Sequence, residues 1–266
     1  MSSSSPRPTK AERTQEARDK AKALREKHNE SVKRKKFLTR LAVVIVPVII
    51  LVIVAIVIVG NQKSAPKLDS SAAPANTTTN GVLVGKDNKV ITGEVPVNED
   101  GKKPVSMVLY QDYMCPACNQ LETSYADQIK ELRDSGIATV EYRTITFLDP
   151  QSQGTNYSSR AANAAACVIN TAPDKFVDFN TALYANQPKE GTTGLTNARL
   201  AEIAKEAGIP EVENCIKDGT YRGWAAANQK TGIEKVSGTP SIFVNDVEWD
   251  RKVDFINMAK EAYAKQ

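Results

Sequence analysis

The chain has 266 residues with 35 Lys/Arg, 31 Asp/Glu and one histidine, enough for one large domain or two small ones. Residues 1–40 hold thirteen basic and five acidic side chains, so the remainder is net acidic, which excludes a nucleic-acid-binding domain. All four cysteines (Cys115, Cys118, Cys167, Cys215) lie beyond residue 100, an even count that points to an oxidising compartment for that part of the chain.

Ser2–Ser5, with Pro6 and Pro8, reads as a disordered start, and 9–36 as a solvated, basic helix. His28 lies in this tail and is assigned no chemical role. Leu41 to Val59 is nineteen residues without a charge. As a helix it would be about 28 Å long, close to the hydrocarbon thickness of a bilayer. The reading is a single transmembrane anchor, with the basic tail 1–40 holding the N-terminus in the cytoplasm and the rest outside. A cleaved signal peptide is the rival, but its apolar core is usually shorter. Residues 60–80, rich in Ser, Ala, Thr, Asn and Pro, read as a flexible linker.

A domain is expected over 81–266. Val82–Val84 and Val90–Ile91 suggest a short hairpin, and Val105–Tyr110 a strand. After it Leu121, Tyr125, Ile129 and Leu132 recur at helical spacing, as far as Ser135-Gly136. Ile137–Leu148 is a second strand, and about 149–237 is wholly helical. Ser241–Val244, an Asn245-Asp246 turn and Val247–Trp249 restore the β pattern before a final amphipathic helix over Asp254–Lys265.

Cys115-Pro116-Ala117-Cys118 sits between the first main strand and its helix. A cysteine at a helix start faces free N–H groups and the positive end of the dipole, which favour the thiolate. Pro116 suits the first turn because it has no N–H to leave unpaired. Half of a zinc site has the same spacing. Two further ligands would have to be Cys167 and Cys215, which form no Cys-x-x-Cys pair, so redox chemistry is the reading, without metal or dissociable cofactor.

The Asp-Tyr-x-Cys-Pro-x-Cys run at 112–118 and Gly238-Thr239-Pro240 opening a strand resemble the DsbA-like thiol–disulfide oxidoreductases, in particular membrane-anchored actinobacterial forms. The resemblance covers roughly 81–266. It implies an α/β thioredoxin-like fold with an inserted α-helical subdomain, here preceded by a transmembrane helix. It also implies a redox-active Cys115–Cys118 disulfide with Cys115 the exposed reactive thiol and Cys118 the buried one. Thr239 and a cis Pro240 would line a substrate groove. The dipeptide Pro116-Ala117 lacks the histidine of the best-known oxidases, so any depression of the Cys115 pKa is expected mainly from backbone dipoles. Asp112 is placed either to act on the thiols as a proton relay or to bond backbone at the start of the helix. Cys167 and Cys215, on two helices of the insert, are read as a structural disulfide, with two buried free thiols as the alternative.

The function expected is disulfide formation in exported, unfolded proteins with free thiols. A quinone-linked membrane protein would reoxidise the pair, by family analogy. Two alternatives stay open: a reductase or isomerase, and a peptide-binding chaperone on the same scaffold.

Overall fold

A computed structural model describes residues 72–78 and 80–266. The strands are β1 (Val82–Val84), β2 (Val105–Gln111), β3 (Ala138–Thr144), β4 (Ser241–Val244) and β5 (Val247–Glu248). The helices are α1 (Pro116–Asp134), α2 (Tyr157–Thr171), α3 (Phe176–Ala185), α4 (Asn197–Glu206), α5 (Glu213–Asp218), α6 (Arg222–Gly232) and α7 (Phe255–Ala264). They form a thioredoxin-like α/β fold in which α2–α6 are inserted between β3 and β4.

The sheet order is β1-β3-β2-β4-β5. β2 and β3 run parallel, joined by α1, and the other pairs are antiparallel. Alternation along β2 sends Val105, Met107 and Leu109 into the main core, where they join Val140, Ile242 and Val244. Val108 and Tyr110 face the other way, with Ile145, Val236 and Phe243. α1 buries Leu121, Ile129 and Leu132 against the main core, each burial stabilising by roughly 1.5–3 kcal/mol. Just past its end Gly136 has a left-handed φ of 75°, and a Cβ there would lie 2.7 Å from Asn98 Oδ1.

The expected 82–91 hairpin closes through one bridge, Val84 to Val90, with the Gly85 and Ile91 N–H groups donating to the Lys89 and Leu83 carbonyls at 2.8 Å, while all of β1 also pairs with β3 on its other edge. Val82 and Val84 are buried in the main core, which holds β1 along β3. The end of the expected linker is bonded to α2: the Ala75 N–H donates to Asn170 Oδ1 at 3.0 Å and Asn76 Nδ2 to the Ile169 carbonyl at 3.1 Å.

Two expectations are corrected. The transmembrane helix of the expected fold class, and the single-pass membrane localisation built on it, are not found in the structure: among the described residues no helix is long and apolar enough to cross a membrane. The longest, α1, has 19 residues, but Glu122, Asp127, Lys130, Glu131, Arg133 and Asp134 lie along it, and charges at bilayer depth are costly. The stretch Leu41–Val59, the tail 1–40 and residues 60–71 lie outside the described residues.

Candidate active site

The site is built where β2 ends. The chain turns through Asp112-Tyr113-Met114, with the Cys115 N–H donating to the Asp112 carbonyl at 3.0 Å. Cys115 is the N-cap of α1 and Pro116 its first helical residue. The Cys118 and Asn119 N–H groups donate to the Cys115 carbonyl at 3.1 and 3.2 Å, closing the first turn. Both active-site cysteines are thiols in this structure.

The Thr239–Pro240 peptide is cis, and the Cys115 thiol donates to the Thr239 carbonyl at 3.4 Å. Residues 124 positions apart thus meet at one sulfur. Thr239, Pro240 and Ser241 line a groove of about 340 Å³ with Glu248, Trp249 and Arg251. Arg251 Nη2 donates to the Pro240 carbonyl at 3.1 Å.

Access does not separate the two thiols: Cys115 is 7% exposed and Cys118 2%, so the exposed Cys115 of the family pattern is not seen here. Electrostatics do. Cys115 is lowered to about 6, first by a hydrogen bond from the Cys118 thiol, against burial, then by the Thr239 side chain and the N–H groups of Cys118 and Ala117. The neighbouring thiol therefore outweighs the backbone dipoles named above as the main cause. Thr239 serves both protonation states, its carbonyl accepting from the thiol and its side chain favouring the thiolate. Cys118 is pushed well up by burial and by the Cys115 thiolate it would have to face.

Asp112 is fully buried. Its Oδ1 accepts from the Met114 N–H at 2.8 Å and the Ser158 hydroxyl at 2.7 Å, and its Oδ2 from the Leu148 N–H at 2.9 Å. It therefore ties the cysteine loop, the segment after β3 and α2 together. Burial raises it to about 6 against those three bonds, and Cys115 adds to the rise.

Cys167 on α2 and Cys215 on α5 form a disulfide with Cα atoms 5.9 Å apart. Among the described residues no cluster of three His, Cys, Asp or Glu side chains could hold a metal ion.

Several site residues carry no sequence signal. Gln187, just after α3, donates from Nε2 to the carbonyls of Tyr113 at 3.1 Å and Cys115 at 2.9 Å. Asn119 Nδ2 donates to the Tyr184 carbonyl at 2.9 Å and to Gln187 Oε1 at 3.2 Å. Beneath them lies a buried polar chain. Gln111 Nε2 and Tyr113 Oη donate to Asn180 Oδ1 at 2.7 and 3.0 Å, and Asn180 Nδ2 donates to Glu122 Oε2 at 3.3 Å. Burial raises the Glu122 pKa, opposed by bonds from Thr181 and Asn180.

A thiol at a helix start that is favoured as thiolate, a second thiol one turn on that is not, and a cis-proline loop against them define a dithiol oxidoreductase of thioredoxin type. A protein-family profile described as Thioredoxin matches residues 99–260. Serine/threonine-protein kinase PknE of Mycobacterium tuberculosis is 32% identical over 150 residues, 53% of this chain and 26% of the kinase. The chain thus spans about a quarter of the first curated relatives it matches. Disulfide bond formation protein D of Bacillus subtilis is 28% identical over 159 residues, 57% of this chain and 68% of that protein. Oxidised DsbA of M. tuberculosis superposes with a TM-score of 0.53 at 29% identity, over 69% of this chain and all of that one. The chain belongs to the thioredoxin family. Within it, the fold and the Cys115–Cys118 pair are those of a DsbA-like thiol–disulfide oxidoreductase.

Proposed function

We propose that the chain works as an oxidase, forming disulfides in exported, unfolded proteins that carry free thiols. A substrate thiolate attacks the Cys115 sulfur of the Cys115–Cys118 disulfide, the S–S bond breaks, and Cys118 leaves with the electron pair and takes up a proton. A second substrate thiolate then attacks the substrate sulfur of the mixed disulfide and expels Cys115 as thiolate. Two substrate thiols are oxidised to one disulfide, and the active-site pair is reduced. An electron acceptor must then restore the pair, by family analogy a quinone-linked membrane protein.

Thr239 and Pro240 are the proposed seat for the substrate backbone, and residues 81–266, with the insert at about 149–237, the catalytic unit. Cys167–Cys215 staples that insert. Asp112 is the proposed proton relay for the thiols, as well as a bonding hub.

The observation that carries the direction is the split between the thiols, Cys115 lowered to about 6 and Cys118 raised. A stabilised Cys115 thiolate is a good leaving group, and it favours the reduced enzyme, which makes the disulfide oxidising. Equilibration with glutathione tests this. The potential is expected nearer the value of about −120 mV for DsbA than that of about −270 mV for thioredoxin. A value at or below thioredoxin's overturns the oxidase and favours a reductase.

A further inference from the structure

The Cys115 carbonyl is held by more than its own helix. Its first-turn donors are the N–H groups of Cys118 and Asn119, and a third arrives from the insert, Gln187 Nε2 at 2.9 Å, 72 positions away. The same nitrogen holds the Tyr113 carbonyl at 3.1 Å, so one carboxamide grips the loop on both sides of Met114. Gln187 is itself held, because Asn119 donates to its Oε1 at 3.2 Å and to the Tyr184 carbonyl at 2.9 Å. Tyr184 completes the seam, its hydroxyl donating to the Asp112 carbonyl at 3.4 Å. The end of α3 thus binds three carbonyls of the loop 112–115.

Those carbonyls fix the peptide planes that aim donors at the reactive sulfur. The N–H groups of Ala117 and Cys118 favour the Cys115 thiolate. They do so only while the turn that begins at the Cys115–Pro116 peptide keeps its orientation. The donor end of the Gln187 amide also brings partial positive charge beside the cysteine backbone, which favours an anion on the same residue.

We propose that Gln187 is a positioning residue for thiol–disulfide exchange: it fixes the Cys115–Pro116 peptide and so couples the helical insert to the thiolate at Cys115. The inference rests on the reading of Cys115 as the attacked sulfur. A purely structural Gln187, one that only ties the insert to the sheet, would change stability and leave the sulfur as it was.

The test uses the full chain and three variants. Gln187→Leu removes the donor at similar size, Gln187→Glu replaces it with a carboxylate, and Asn163→Ala is the control. Asn163 bonds within the insert, its Oδ1 accepting from the Tyr221 N–H at 2.7 Å, away from the loop. Cys115 alkylation is followed against pH, and the dithiol–disulfide equilibrium is measured in glutathione.

Gln187→Leu is expected to raise the Cys115 pKa by about half a unit, the scale of one hydrogen bond, and to shift the equilibrium about threefold toward the disulfide. Gln187→Glu shifts both further in the same direction, and Asn163→Ala shifts neither. If Gln187→Leu does not fold, the Gln187→Glu profile decides. Wild-type profiles in the Gln187 variants, or an equal shift in Asn163→Ala, overturn the inference while the functional reading stands. A wild-type Cys115 that titrates at the free-thiol value of about 8.5 overturns the functional reading and this inference with it.

Discussion

Asp112 and Cys115 are both driven to about 6, from opposite sides. A carboxylate raised from 3.8 binds its proton more tightly folded than unfolded. Its contribution to stability is therefore full below about pH 4 and is lost as pH rises through 6, a loss of about 3 kcal/mol. Asp112→Asn should abolish that part of the fall, measured as the difference between variant and wild-type denaturant curves at pH 4 and pH 7. Because the Cys115 thiolate and the Asp112 carboxylate repel, the same variant should lower the Cys115 pKa; an unchanged Cys115 would separate Asp112 from the chemistry. The two thiols should also part in reactivity. At pH 7 a Cys115 of pKa about 6 is about nine-tenths thiolate, whereas Cys118, raised well above 9.0, is almost wholly protonated, so alkylation of the reduced protein should fall predominantly on Cys115. Cys118→Ala should accumulate mixed disulfides between Cys115 and substrates, visible on non-reducing gels. Cys115→Ala should form none.

At the scale of elements, the disulfide joins α2 to α5 across a sequence separation of 48. Closing such a loop constrains the unfolded chain by about 4 kcal/mol on the chain-entropy model, so Cys167→Ala with Cys215→Ala should lower stability by up to that amount. A double variant with a wild-type denaturation midpoint would leave the staple without an energetic role. The same elements show what a sequence can carry. α1 was legible because Leu121, Ile129 and Leu132 keep one helical face, and the site because Cys-Pro-Ala-Cys and Gly-Thr-Pro are local words. The partner of β1 was not legible, since three residues fit the 82–91 hairpin and the β3 edge equally well. Nor was the grip of Gln187 on Cys115, a contact between a loop glutamine and a carbonyl far along the chain, which leaves no periodicity or motif. The charge-free stretch 41–59 carried a strong local signal, but it lies outside the described residues, and the helices that are described carry charge along their length.

For the whole molecule, redox state and stability are two sides of one cycle. A disulfide that is oxidising in the folded protein must be less favourable there than in the unfolded chain, so the reduced protein should be the more stable form. The size of the gap follows the potential, at about 1.4 kcal/mol for each 30 mV. The gap should also depend on pH with a definite sign. Cys115 is depressed from 9.0 to about 6 when folded, so the reduced protein holds fewer protons at this group than the unfolded chain between those limits. Its stability therefore rises from about pH 6 to about pH 9, and that contribution is lost as pH falls through 6. Cys118, raised when folded, adds no slope below pH 9. The oxidised protein has no thiol to titrate and lacks this limb. Combined with Asp112, which weakens the fold as pH rises toward 6, the reduced protein should show a stability minimum near pH 6 that the oxidised protein does not share. Denaturant midpoints of both forms at half-unit steps from pH 4 to pH 9 would show it. Parallel curves would mean that the Cys115 thiolate is not stabilised by the fold, and the oxidising character would then need another source.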